Sequence, residues 1–205
     1  MNMRIAVVGG GIAGLAFALA LHQRGLACDV YEGVSEVREL GVGITLLPHG
    51  VRELAALGLL EALQACAIEN RESVFFNRWG QRVYGEPRGR HAGYELPELG
   101  IHRGRLHGVL WQAALERIGR ERLHTGHRCV RIQPQARGAV LHFDPVDGVR
   151  PAPVQADVVV ACDGVNSAVR RHFYPDDRVC FGGINTWRGT TVHKPILDGR
   201  SYLRV

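Results

Sequence analysis

The sequence has no Cys-x-x-Cys pair. Its five cysteines, Cys28, Cys66, Cys129, Cys162 and Cys180, are odd in number and stand far apart. That pattern argues against a zinc site and a disulfide framework. It points instead to a reducing cytoplasm, with all five expected as buried structural thiols. There is also no block of like charge. The 25 Lys and Arg residues, most of them arginine, exceed the 20 acids and leave a net charge of +5, but they are scattered. A scattered excess reads as a solvated basic surface that would suit an anionic ligand, and not as a nucleic-acid arm. No internal repeat or low-complexity stretch occurs. The ten histidines show no metal-ligand spacing, and the pairs His102/His107 and His124/His127 read as surface or satisfied core residues. One uncharged run, Ile5 to Leu21, has the look of a membrane anchor or signal peptide. Gly9, Gly10, Gly11 and Gly14 interrupt it, and it flows into His22-Gln23-Arg24 with no small-residue cleavage site, so no membrane span is expected.

What is present is a chain of 205 residues, 46% hydrophobic, enough to bury one domain or one domain and part of another. Residues 4–8 read as a buried strand, 12–24 as an Ala/Leu-rich helix stopped at Gly25, and 28–31 as a second strand. Together they make a βαβ opening. Pro48 to Leu63 has Val51, Leu54, Leu57 and Leu60 on one face and predicts a helix. Residues 73–84 predict a hairpin around Trp79-Gly80; 85–100 read as loop. A helix is expected near 105–117, and strands near 128–132 and 139–143. A buried β-branched strand is expected at 156–161, a helix from Ser167, and strands at 187–192 and 202–205.

The strongest local signal is Gly9-x-Gly11-x-x-Gly14, between the first strand and the first helix. Gly9 allows the tight turn, Gly11 lets the backbone approach a pyrophosphate, and Gly14 lets the helix pack close to the sheet. The amides of Ile12 and Ala13, at the start of that helix, face the phosphates under a favourable dipole. Glu32 ends the second strand at the spacing where a carboxylate accepts from ribose hydroxyls, which disfavours a 2′-phosphate. The loop alone leaves FAD and NAD open.

Further motifs follow: Leu40-Gly-Val-Gly-Ile44, Glu86-Pro-Arg-Gly89, Ile101-His-Arg-Gly104, Asp157-Val-Val-Val-Ala-Cys-Asp163-Gly164 with Ser167 and Arg170, and Gly182-Gly-Ile-Asn-Thr-Trp-Arg-Gly189. In this order they resemble the class A flavoprotein monooxygenases, the single-component aromatic hydroxylases, and most of all their phenazine-modifying and salicylate-hydroxylase-like members. The likeness implies an α/β dinucleotide-binding fold of the glutathione-reductase type, with part of a β-rich substrate domain. The FAD-binding part is expected over 1–72 and 101–178, and the partial substrate sheet over 73–100 and 179–205.

The resemblance also implies roles. Gly9, Gly11 and Gly14 would hold the FAD pyrophosphate, Glu32 the adenosine ribose, and Arg38 would lie near both. Gly43 would run beside the flavin edge. Arg103 would contact FAD from the head of its helix, the backbone at Val130 would neighbour adenine, and Asp163 would link to FAD and the pyridine nucleotide. NAD(P)H would be the reductant and O2 the source of the oxygen atom placed on a small aromatic substrate. No catalytic residue is assigned. Phe75, Trp79 and Trp187 are candidates for the substrate wall, each of a type more often found in a core. Plainer readings stand beside these: Arg38 as a solvated surface arginine, Asp163 as a cap for the helix from Ser167, Arg103 as partner of a surface acid, and Val130 as a core strand residue.

The family's second flavin motif, Gly-Asp-Ala-Ala-His followed by proline, has no counterpart here. The chain is therefore expected to be an N-terminal fragment, whose full-length form is a possible homodimer. The alternatives are an FAD or NAD oxidoreductase without oxygen insertion, and an inactive cofactor-binding fragment.

Overall fold

The computed structural model describes residues 3–36, 41–146, 148–178 and 180–205. In chain order the first elements are β1 (Ile5–Val8), α1 (Ile12–Gln23), β2 (Cys28–Tyr31), β3 (Gly43–Leu46), α2 (Pro48–Ala56), α3 (Leu60–Cys66), β4 (Ile68–Asn70), β5 (Glu72–Phe76) and β6 (Arg82–Pro87). Then come β7 (Glu98–His102), α4 (Arg103–Arg117), β8 (Leu123–His124), β9 (Cys129–Pro134), β10 (Ala139–Phe143), β11 (Val154–Ala156), β12 (Val158–Ala161), α5 (Ala168–Phe173) and β13 (Ser201–Arg204). The chain divides into two units, one of residues 1–38 and 110–185, the other of 39–109 and 186–205.

The first unit is built on a four-stranded sheet in the order β12-β1-β2-β8, parallel throughout. β1 is buried at all four residues, as its run of apolar side chains demands of a central parallel strand. α1 covers it with Leu15 and Leu19, both fully buried. This is the expected βαβ opening. A second, antiparallel sheet in the order β11-β10-β9 follows. Its Ile132, Ala139, Leu141 and Phe143 pack with Ala6, Val8 and Tyr31 into one core. The expected strand at 156–161 is two strands that meet at Asp157, whose amide donates to the Arg4 carbonyl at 2.8 Å. β11 belongs to the antiparallel sheet and β12 to the parallel one. Nor is β12 buried as expected. It lies at the edge of its sheet among the described strands, and Val158 is exposed.

The second unit holds two three-stranded sheets, β3-β7-β4 and β13-β5-β6. The hairpin β5–β6 turns at Trp79-Gly80 as predicted, with Gly80 at φ +75°. The helix expected over Pro48 to Leu63 is two helices, because Gly58 takes φ +71° and stops the first. Val51, Leu54 and Leu63 still form a buried face. Part of the loop predicted for 85–100 is strand: β7 lies centrally between β3 and β4, its pattern hidden by Pro97 and Gly100. The strand predicted at 187–192 does not form. Residues 182–200 carry no helix or strand, and Trp187 is 91% exposed.

Candidate functional site

The carboxyl end of β1 opens into the glycine loop. Gly9 has φ +102°, and a Cβ there would stand 2.5 Å from the Cys162 carbonyl oxygen. At Gly14 a Cβ would collide with the Gly9 carbonyl, so this glycine sets how closely α1 approaches the loop. Gly11 differs: nothing lies within 4 Å of a Cβ built there, so it faces open space. Gly11 is also the N-cap of α1 and no side chain caps it. Helix geometry leaves the first-turn amides, including those of Ile12 and Ala13, without acceptors inside the helix. Three glycines at the predicted spacing thus do three different jobs, and the open one sits at the positive end of a helix.

Glu32 lies beside this opening. One carboxylate oxygen accepts from the Gly10 amide at 2.7 Å and the other from the Val34 amide at 3.0 Å. Its own amide donates to the His124 carbonyl at 2.8 Å. A carboxylate offers about four lone-pair directions, so two remain for outside donors. Val130 is the residue skipped where the β9–β10 register shifts: Cys129 pairs with Phe143 and Arg131 with His142. The bulge takes Val130 out of the ladder, and it is half-buried rather than a core residue.

Asp163 follows β12. Its Oδ1 accepts from Ser167 Oγ at 2.6 Å and its Oδ2 from the Val169 amide at 3.2 Å. Ser167 Oγ in turn accepts from the Arg170 amide at 2.8 Å. Asp163 therefore acts, in this chain, as a brace for the start of α5. Glu32, Val130 and Asp163 all belong to the unit that carries the glycine loop.

The second unit holds Gly43 and Arg103. Gly43 begins β3 and pairs with His102 of β7; its carbonyl accepts from Arg188, and a Cβ would meet nothing within 4 Å. Arg103 heads α4, its amide donates to the Val42 carbonyl at 2.9 Å, and its exposed side chain makes no ion pair among the described residues. Gly41, at φ +138°, faces the Arg103 stem, with a Cβ placed 3.0 Å from it. Arg38 lies outside the described residues.

Other expectations changed. Cys28 and Cys129 are buried, and burial pushes both thiols up to about 11. Cys162 is half-buried, its pKa raised by burial and then by Asp163. Cys66 is only partly buried. Cys180 is exposed, against expectation, because its segment packs under no regular element. Of the aromatic candidates, Trp79 is 71% exposed at a hairpin tip beneath the Arg78 guanidinium, and only Phe75 packs within a sheet. The unit also holds a cavity of about 670 Å³ bordered by Val74, Phe76, Arg82, Pro87 and Ser201. Sequence reasoning missed the parts played by Gly10, Cys162 and Arg188, because each works through a backbone or contact that only folding creates.

A family model described as an FAD binding domain matches residues 2–196. The chain belongs to the FAD binding domain family. It is 38% identical over 202 residues to the phenazine 1,6-dicarboxylic acid hydroxylase of Lysobacter antibioticus, covering 97% of this chain and 50% of that protein. To the 3-amino-4-hydroxybenzoate 2-monooxygenase of Streptomyces cremeus it is 35% identical, covering 96% and 46%. Among solved structures it matches Klebsiella pneumoniae HpxO complexed with FAD and uric acid, at TM-score 0.67 and 28% identity, over 82% of this chain and 41% of that one. A crystal structure of 2-methyl-3-hydroxypyridine-5-carboxylic acid oxygenase gives TM-score 0.70 and 28% identity, over 84% and 42%. The chain spans about half the length of the curated relatives it matches. In this domain the open space at Gly11, a helix start without a side-chain cap and the Glu32 carboxylate stand together. Among the described residues, no helix is long and apolar enough to cross a membrane.

Proposed function

We propose that this chain supplies the FAD-binding part of a monooxygenase that uses NAD(P)H and O2 to hydroxylate a small aromatic substrate. The observation that carries the reading is the pairing of an open, uncapped helix start at Gly11 with an acid held beside it. Bound FAD would supply the redox chemistry. The protein's part is to hold it. Gly9 and Gly14 shape the loop, the Gly11, Ile12 and Ala13 amides donate to the pyrophosphate, and Glu32 accepts from the ribose. The Val130 backbone, released by its bulge, borders the adenine. Asp163 keeps the start of α5 in place near the Gly9 loop, which the Cys162 carbonyl touches. In the second unit Gly43 and Arg103 are proposed flavin neighbours, and Arg38 a ribose and phosphate neighbour.

The FAD-binding part would comprise 1–72 and 101–178, and the substrate part 73–100 and 179–205. The cavity beside β5 and β6 has the size of a small-ligand site and would take the aromatic ring. The relatives' printed activities on hydroxybenzoates and a phenazine acid support that class of substrate. Five cysteines with no disulfide among them support a cytoplasmic setting.

The test is the visible spectrum of the purified chain, with and without added FAD, after desalting. Flavin bands that remain with the protein support the reading, and NAD(P)H oxidation, oxygen uptake and a hydroxylated product are then measured together. NAD(P)H oxidation with no oxygenated product would place the chain among flavin oxidoreductases without oxygen insertion. A colourless protein in excess FAD would overturn the claim that this chain builds a flavin site.

A further inference from the structure

His102 ends β7 and stands just before α4, and both nitrogens of its ring are engaged. Nδ1 lies 3.2 Å from the Gly104 amide, and Nε2 lies 2.8 Å from the Gly41 carbonyl oxygen. The partners fix the roles. An amide only donates and a carbonyl only accepts, so Nδ1 carries the lone pair and Nε2 the proton. The ring that fits is neutral, in the Nε2–H tautomer. The other neutral tautomer would set N–H against N–H at Gly104 and a lone pair against the Gly41 carbonyl. The charged ring would keep the bond to Gly41 and lose the one to Gly104.

Each bond does separate work. Gly104 is buried in the first turn of α4, where an amide has no acceptor inside the helix. His102 Nδ1 is its acceptor, so the ring is a side-chain cap. The second bond fixes the chain across from it. Gly41 takes φ +138°, and its carbonyl is held by His102. The Val42 carbonyl accepts from the Arg103 amide at 2.9 Å, and Gly43 pairs with His102 in the β3–β7 ladder. Three successive residues are thus pinned by two, His102 and Arg103, and Gly43 keeps open space where a Cβ would stand. The bonds at Val42 and Gly43 are backbone bonds, open to any residue at position 102 that keeps the ladder. The bond at Gly41 needs this side chain.

We infer that His102, as the neutral Nε2–H tautomer, is a positioning residue that fixes Gly41–Gly43 for the flavin ring of FAD. What it positions rests on the proposed function. The tautomer and the two bonds do not, and they are read without cofactor.

The experiment begins with heteronuclear NMR of the chain carrying isotope-labelled histidine, the His102 ring signals being those lost in His102→Asn. A protonated Nε2 and an unprotonated Nδ1 are expected. Binding then separates the two bonds. An asparagine oxygen at the N-cap accepts from a first-turn amide, so His102→Asn keeps the cap, while its shorter side chain gives up the Gly41 tether. Its FAD affinity should fall about five- to tenfold, the worth of one neutral hydrogen bond. Its affinity for ADP, which lacks the flavin ring, should match the parent's. A general loss of structure would weaken both ligands alike. His102→Ala, which gives up the cap as well, should melt below His102→Asn. Three outcomes overturn the inference: a ring protonated at Nδ1, a His102→Asn chain that binds FAD as the parent does, or equal losses for FAD and ADP. A parent chain that retains no FAD would overturn the proposed function instead, and the ring signals with the two melts would then decide whether His102 holds Gly41 and Gly104.

Discussion

The Gly10 amide donates to a Glu32 carboxylate oxygen at 2.7 Å, so the acid at the end of β2 is tied to the loop that leaves β1. The same carboxylate also holds the Val34 amide. Glu32 is therefore structural before any ligand arrives. Replacing it with alanine removes the acceptor of two amides, one part-buried at Gly10 and one exposed at Val34, and the loss at the part-buried one costs about 1–3 kcal/mol. Glu32→Ala should lower the urea midpoint and weaken FAD binding, whereas Glu32→Gln, which keeps an acceptor oxygen, should lose less stability. Titration of each variant with FAD checks the second half. An unchanged FAD affinity in the alanine variant would sink the ribose assignment.

The glycines separate in the same way. Gly11→Ala places a methyl in open space, so the fold should be intact while FAD retention falls. Gly14→Ala drives a methyl into the Gly9 carbonyl, so the fold itself should weaken. Thermal melts without cofactor distinguish them: the Gly11 variant should melt with the parent and the Gly14 variant below it.

Ser167 caps α5 and also donates to Asp163. Ser167→Ala should cost about 1 kcal/mol, as N-cap removal usually does. Asp163→Ala should cost a similar amount on its own. Because the two share one hydrogen bond, the double variant should lose less than the sum of the singles, which a double-mutant cycle measures.

Stability should fall at alkaline pH. Burial raises Cys28 and Cys129 from 9.0 to about 11, and Tyr31 from 10.0 to about 12. For an acid raised in the folded state, the folded form holds its proton longer than the unfolded one. The contribution is thus complete below pH 9 and is lost as pH rises towards 11 for the thiols and 12 for the phenol. Urea midpoints measured from pH 8 to pH 11 should decline, and Cys28→Ala, itself less stable for lost packing, should decline less steeply.

The sequence made the first unit's opening plain because every residue from Ile5 to Tyr31 obeys one rule at a time. An apolar run gives the central strand, the three glycines give the loop, and Glu32 marks the end of β2. The hairpin at Trp79-Gly80 and the helix start near Ser167 were legible for the same local reason, although the cap is Ser167 itself, with Asp163 behind it. β7 was not, since Pro97 and Gly100 mask a strand whose existence depends on β3 and β4 on either side. Gly58 gave no sign that it would take positive φ rather than continue the helix. At 187–192 the β-branched and aromatic residues have strand propensity, but among the described residues no strand pairs with them, and propensity alone does not hold an isolated strand. The bulge at Val130 depends on the β9–β10 register, which no local pattern states.

One junction limits how this chain can change length. β11 and β12 belong to different sheets, yet only Asp157 stands between them, and it is held by Arg4 at both its amide and its carboxylate. The side-chain period of a strand is two. Inserting or deleting a single residue here would turn Val158–Ala161 over relative to β1, or drag Val154–Ala156 out of step with β10. Natural insertions in this part of the molecule should therefore collect beyond β10, in the turn around Val146 and Val149, and spare the stretch from Val154 to Asp163.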